Sequence, residues 1–598
     1  MLPAFPWETS APMPHVRIAV ANNPNSSVAT LTKLSKDAHD KVREAVAGNP
    51  ALPAAIKDNL ASDIEQSVRE AVLKGKELPD KGILMRMTRE QEPTTYELLA
   101  SNPATPSDIL RRLANIPYQT EYLLLALARN PNSPPDVVAR LAKVGDRLVR
   151  TFLARQPKMS ADMLTLLAAD PDLGVKSYVA ANPATPPGAL DLLSNDLSLV
   201  VRSAVAGNTG TKPEALNRLS KDRAWEVRTE VAGNPHTAPK DLEVLARDTN
   251  YKVRFAAGTN PSIPGVVLSA LSKDKDALVR SAVATNNKLD TEMMVDLAGD
   301  PTVGVAQIIA SRPDLTREGQ VKMIDTVKSY LVLASLAGNR AIAKDTALKL
   351  LNDPSPEVRR ALAAGSPVPE VLKKLSGDQN ELFREAVAGN ASAAPELLAS
   401  LAKDPSSRVL VALAHNPATP PETLLALASS KDDGLVRILI ARKDITPEAM
   451  RTILQNADNS MKIFVAMRQD TAPELLALLA TDPDPGIRAA VADHPTLPLE
   501  SISRLALDKD VIVRSAAAAN PKIKGASLDA LAKDTEVRVR RGIAGNPAAP
   551  NAVLAKLSQD PDPLVRQLVA QNSNASADTL TDLADDTEFW IAPVTAHK

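Results

Sequence analysis

The sequence predicts an all-α fold, an α-solenoid of tandem two-helix repeats, and three observations carry that expectation. The stretch VREAVAGNP at residues 42–50 returns as VRIAVANNP at 16–24, VRSAVAGN at 201–208, VRTEVAGNP at 227–235 and VRRGIAGNP at 539–547. These returns define 22 units of 25–28 residues, most of them 26, along nearly all of the 598 residues. A single period held so long marks a repeat architecture. Inside each unit the apolar residues fall at helical spacing, and Asn-Pro and Thr-Pro pairs punctuate the pattern.

The idealised unit reads VRxAVAxNPxTPxxxLxxLAxDxxxx, and each part has a physical role. VRxAVA sets Val, Ala and Val at i, i+3 and i+4, which makes one helical face apolar. Asn follows at Asn49, Asn208, Asn234 and Asn546; Asn tolerates the left-handed conformation that ends helices, and the Pro after it blocks continuation. The second helix starts at Thr-Pro. In Thr419 to Glu422 the Thr is placed as N-cap, Pro420 as first helical residue and Glu422 as the capping-box partner. The LxxLA run, as at Leu190/Leu193 and Leu424/Leu427, supplies the second apolar face, and the helix ends near Asp.

A unit of this size cannot bury both faces alone, so neighbours stack into a continuous core. With layers roughly 8–10 Å apart, 22 units give a contour on the order of 200 Å and a long, curved molecule. The expected division is an irregular segment 1–15, one continuous solenoid 16–590 and a tail 591–598, with irregular units near 68–148, 305–357 and 409–486.

These units resemble leucine-rich repeat variant repeats, whose hallmark is VRxxVAxNPxTPxxxLxxLAxD, and more loosely HEAT repeats, which share D-x-x-x-x-V-R. The resemblance spans nearly the entire chain. It implies a right-handed stack in which one helix of each pair is short or 3-10, and an interaction scaffold with no ligand named. One branch of the family carries a Cys-rich iron–sulfur segment; this chain has no Cys, so that feature does not carry over.

Composition narrows the function classes. Aromatic residues make up 3% and charged residues 24%, which suits many thin layers better than one large core. The absence of Cys excludes disulfides, zinc thiolates and Cys nucleophiles and fits a reducing, cytoplasmic setting. A net charge of −1 argues against a general nucleic-acid or membrane coat. No secretory signal or membrane-spanning segment is read. The six His are scattered, and no P-loop, GxGxxG, GxSxG or HExxH occurs, so no enzyme, metal or cofactor is expected.

The charged Arg inside VRxAVA has two readings, a displayed cation ladder or a buried ion pair. Pairing each Arg position with the acidic position about 20 residues later gives sixteen units with both charges, among them Arg43/Asp63, Arg202/Asp222, Arg228/Asp248 and Arg280/Asp300. Units such as Tyr96/Tyr118 and Leu124/Val144 lack both, and two units, Leu333/Asp353 and Arg437/Asn456, keep one. Joint loss is the expectation for an ion pair, because a lone half-buried charge costs more than the pair returns. Pairing with the Asp six residues before Arg leaves more mismatches.

Function is therefore sought where the device is dropped. One candidate surface comprises Tyr96, Arg112, Tyr118, Tyr122, Arg129, Arg140, Lys143 and Arg155, in a region whose residues 111–158 carry nine Lys or Arg against three Asp or Glu. Stacked cations with interleaved aromatics suit phosphates or an acidic peptide; a degenerate stretch with solvated charges is the alternative. A second patch places Val411, Ile438 and Ile463 at the position after Arg, flanked by His415, Arg442 and Met467. The units over 305–357 read as a joint. The expected function is a protein–protein scaffold, with nucleic-acid binding through 111–158 as the alternative.

Overall fold

The computed structural model describes residues 14–588 apart from residues 90, 91 and 118, so the expected segments 591–598 and most of 1–15 lie outside the described residues. Among the described residues every regular element is an α-helix, alternating between longer helices of 8–10 residues and shorter ones, most of 7. Leu199–Gly207 followed by Pro213–Leu219 is a typical pair. The short member is α-helical rather than 3-10. The chain forms two compact units: residues up to 138 with those from 454 onward, and residues 139–453.

Each pair buries the residues that the pattern places inward. Val201, Val205 and Ala206 of the longer helix and Leu216 and Leu219 of the shorter are buried, each Val or Leu stabilising the unit by about 1.5–3 kcal/mol. Longer helices pack against the longer helices of the next unit, and small residues let their backbones approach. At Gly365 a Cβ would lie 2.3 Å from the Gly338 carbonyl oxygen at the end of the preceding long helix.

The Asn after the longer helix does not adopt the left-handed conformation expected of it. Asn49 sits at φ −71° and ψ 126°, an extended residue. Its work is done by the buried side chain. Asn208 Nδ2 donates to the carbonyl oxygens of Ala180 at 2.7 Å and Asn182 at 2.9 Å in the preceding unit, and its Oδ1 accepts the Gly210 N–H at 2.8 Å. Asn234 does the same to Ala206 and Asn208, and Asn260 to Ala232 and Asn234. In these units the terminal carbonyls of the preceding long helix, which have no partner of their own within it, are thus satisfied by the next unit's amide.

Thr419 is likewise not an N-cap. The helix begins at Pro421, the cap residue is Pro420, and no side chain caps it. Thr419 is buried and its Oγ1 donates backward to the Leu413 carbonyl at 2.7 Å. Thr105, Thr211 and Thr237 make the same bond to Leu99, Val205 and Val231, so Thr ends the long helix instead of starting the short one.

The repeated Arg is a bidentate clamp. Arg228 Nε and Nη2 donate to the two Asp248 oxygens at 2.6 and 3.1 Å. The same geometry holds at Arg43/Asp63, Arg202/Asp222 and Arg280/Asp300. The remaining amino group, Nη1, donates to the backbone carbonyl of Asp222, six residues earlier. Both acidic positions weighed in the sequence are therefore used, one through its carboxylate and the other through its backbone. The Asp248 carboxylate also accepts the Asn250 N–H at 2.8 Å and so shapes the entry to the next long helix.

Two units depart from the expected pairing. Arg359 lies with its guanidinium carbon 5.1 Å from the Phe383 ring centroid, a cation–π contact in place of a clamp. In the unit read from Val436, the buried residues are Leu435, Val436, Leu439 and Ile440. Leu435, Leu439 and Ile440 repeat the spacing of Val201, Val205 and Ala206, so the register is one residue earlier and Val436 holds the Arg position. Arg437 is an exposed neighbour, and the unit lacks both charges.

Within the unit that holds both termini, the first repeat is seated on the last. Asn23 Nδ2 donates to the carbonyls of Ala570 at 2.7 Å and Asn572 at 3.1 Å, as Asn572 does to Ala544 and Asn546. Arg17 Nη1 donates to the Asp586 carbonyl at 2.7 Å, the bond Arg566 makes to Asp560. Asn25 reaches Ser573 as Asn574 reaches Pro547, and Lys33 pairs with Asp585. The first and last repeats of this unit thus meet as neighbouring repeats do.

Removing one ladder amide leaves buried carbonyls unsatisfied, at about 1–3 kcal/mol. Asn208→Ala is expected to lower the urea midpoint of the unit 139–453. Asn208→Asp is expected to lower it further, because a carboxylate would face two carbonyl oxygens. Equal midpoints for wild type and both variants would rule out the ladder role.

Candidate functional site

Where Tyr96 stands in place of the clamp Arg, a cavity of about 490 Å³ opens, lined among others by Thr88, Arg89, Tyr96, Arg112, Asn115 and Thr120. Two elements bring cations to it. Arg112 lies in the last turn of the short helix Ser107–Leu113, and Arg89 follows the helix Lys81–Met87. Arg112 Nε donates to Thr88 Oγ1 at 2.6 Å, and Thr88 in turn donates to the Met85 carbonyl at 2.8 Å. That chain orients the half-buried guanidinium, whose two amino groups have no hydrogen-bond partner among the described residues. The buried Tyr96 ring, Ile116, Pro117 and Leu123 give the cavity its apolar walls.

The remaining residues of the first candidate surface are not gathered there. Tyr118 lies outside the described residues. Tyr122 and Arg129 are exposed on the long helix Glu121–Arg129. Arg140, Lys143 and Arg155 are exposed and belong to the unit 139–453, where the Arg155 guanidinium carbon lies 5.2 Å from the Tyr178 ring centroid. Several cations of the basic stretch already hold carboxylates: Arg111 grips Asp136 at 2.9 and 3.0 Å, and Arg150 grips Asp170 at 2.6 and 3.2 Å.

The second patch separates as well. With the register at Leu435, Ile438 does not share a repeat position with Val411 or Ile463. His415, Ile438 and Arg442 line a cavity of about 340 Å³. Val411 and Ile463 are half-buried, Met467 is exposed, and the last two belong to the unit that holds the termini.

Arg442 has a structural task that sequence reasoning missed. It stands at the ladder position, and its Nη1 donates to the carbonyls of Ala414 at 2.6 Å and Asn416 at 3.0 Å, as an Asn amide would. Its Nε and Nη2 bind the Asp444 carboxylate at 2.8 and 2.6 Å. Arg312 repeats the arrangement with Ala284, Asn286 and Asp314, so the ladder also crosses the region read as a joint. Arg468 binds Asp470 in the same way. The recurring signal was an Arg-x-Asp in place of the ladder Asn at three units.

The charges behave accordingly. The Arg442 hydrogen bond holds the Asp444 carboxyl below its ordinary value, and the Arg43 hydrogen bond does the same for Asp63, in each case against the opposing effect of burial. At Asp248 burial is the largest influence and pushes upward, but the Arg228 hydrogen bond, the Asn250 N–H and nearby Arg charges outweigh it. Among the described residues, no group of three or more His, Asp or Glu is placed to hold a metal ion. No helix there is long and apolar enough to cross a membrane. Arg442→Ala is expected to destabilise the unit 139–453 by about 1–3 kcal/mol. Arg442→Asn is expected to recover most of that loss, and chemical denaturation of both variants measures it. An Asn variant as unstable as the Ala variant would refute the equivalence.

No protein-family profile matches the sequence, and no curated protein sequence matches it either. Among solved structures, a leucine-rich repeat variant protein is 23% identical, over 37% of this chain and 87% of its own, with a TM-score of 0.28. Yeast importin-beta (Kap95p) is 12% identical, over 89% of this chain and 82% of its own, with a TM-score of 0.26. The UNC-45 chaperone is 11% identical, over 91% and 74%, with a TM-score of 0.20. By its own elements, the chain is an all-α array of tandem two-helix units built on the VRxAVAxNP motif.

Proposed function

We infer that the chain is a non-enzymatic scaffold that binds a protein partner, and that an acidic segment of that partner enters the cavity beside Tyr96. The observation that carries this reading is the Arg112 guanidinium, anchored to Thr88 and facing a cavity of about 490 Å³ that Arg89 also lines. An ion pair formed against apolar walls is stronger than one in open water, because the local dielectric is lower. The wider basic stretch supports a nucleic-acid reading less well, since Arg111 and Arg150 are already held by carboxylates.

Fluorescence polarisation with a labelled glutamate-rich peptide tests the proposal. The expected result is saturable binding that weakens about tenfold in Arg112→Ala, the loss of one charged hydrogen bond, with wild-type thermal stability. Binding unchanged in Arg112→Ala would overturn it. So would tighter, salt-sensitive binding of a labelled duplex that the same substitution abolishes, which would favour nucleic acid.

A further inference from the structure

Seven successive long helices of the unit 139–453 begin with an apolar residue: Leu173, Leu199, Trp225, Tyr251, Ala277, Val303 and Tyr330. The first helical position favours Pro and acidic residues, which complement the helix N-terminus. The following long helices of the same unit begin with Pro356, Glu381, Ser407 and Asp433, none of them a large apolar side chain. The exception is therefore confined to one run of neighbours. Each of these helices packs on the next, so the residues form one stripe. Leu173, Leu199, Tyr251, Val303 and Tyr330 are exposed, and Val200, Leu278 and Leu331 at the second helical position widen the stripe. A contiguous apolar strip of this kind marks an interaction surface.

The stripe has a charged anchor. Between Leu199–Gly207 and Trp225–Gly233 lies a groove of about 530 Å³ with Leu199, Val200 and Ala204 on one side and Glu226 and Glu230 on the other. The two carboxylates stand one turn apart on the same helix. Gly207 keeps the floor open, since a Cβ there would come within 3.0 Å of Glu230 Oε2. One layer further, the Lys252 ammonium lies 4.4 Å from the centre of the Trp225 ring, so the chain's own cation already uses this face. An apolar wall opposite two carboxylates fits the stem and head of a lysine or arginine side chain.

We propose that this face docks a basic-apolar segment of a protein partner, with one cationic side chain seated between Leu199 and Glu226/Glu230 and apolar residues along the stripe. Layers about 8–10 Å apart match every third residue of an extended chain, at about 3.3 Å each. The site is separate from the cavity at Arg112 and has the opposite charge preference, so each can fail without the other.

The test uses the full chain and a fluorescein-labelled peptide with leucine at every third position, one arginine and serine elsewhere, against the same peptide with glutamate for arginine. The arginine peptide is expected to bind at least about tenfold more tightly, the scale of a charged hydrogen-bonded pair. Glu226→Gln with Glu230→Gln is expected to remove that preference, and Leu199→Ser to weaken both peptides, while Arg112→Ala changes neither. Glu226→Lys with Glu230→Lys is expected to reverse the preference, a gain that a misfolded variant would not give. Equal binding of the two peptides, no binding of either, or a preference that survives the charge reversal would overturn the proposal.

Discussion

The structure depends on one buried hydrogen-bonding arrangement. A helix of nine residues leaves carbonyls at its C-terminal end without partners, and stacking such helices into a dry interior would bury them unsatisfied. The ladder amide removes that penalty by spending both of its donors on the preceding unit and its acceptor on its own turn. A unit that carries the ladder side chain therefore completes the hydrogen bonding of the one before it. The clamp Arg works in the same direction, joining the carboxylate of its own unit to the backbone at the end of the previous one. Apolar burial supplies the driving force, and these two polar devices fix the register at which neighbours meet.

The helices, their pairing and the unit length were legible in the sequence, because each is a property of one unit. The Arg–Asp pair was legible too, since both partners lie within one period and disappear together. What could not be read was any bond that crosses to a neighbour through the backbone. Asn was seen as a helix terminator because its carbonyl partners have no sequence identity to vary. The same reason hid the Nη1 bond of Arg228 to Asp222, whose backbone oxygen any residue would provide. A trace did exist: where Asn is missing, Arg312, Arg442 and Arg468 each precede an Asp by two residues. The register slip at Leu435 had a similar origin, since the Val-Arg pair at 436–437 imitates the motif one residue out of place.

The candidate sites follow from the same economy. A unit that keeps both devices has little freedom to present anything else along its seam with the next. Where Tyr96 replaces the clamp Arg, the unit lengthens and a cavity with an anchored guanidinium takes its place. Tyr96 and Arg112 were legible as a pair of departures from the repeat, but the gathering of Thr88 and Arg89 was not, because they belong to the preceding unit. The apolar stripe from Leu173 to Tyr330 uses the opposite freedom. It occupies the first and second residues of the long helices, whose side chains neither device uses.

If the ladder is a general joint between units, it should hold the last unit to the first as firmly as it holds interior neighbours. Spin labels at Lys33→Cys and Asp585→Cys, in a chain with no other Cys, read that seam directly by pulsed dipolar spectroscopy. Labels at Lys533→Cys and Lys556→Cys occupy the same two repeat positions in an interior pair of units. The account predicts one short distance at the seam, of the same width as the interior control and unchanged on dilution. A broad distribution at distances far beyond the control would contradict it.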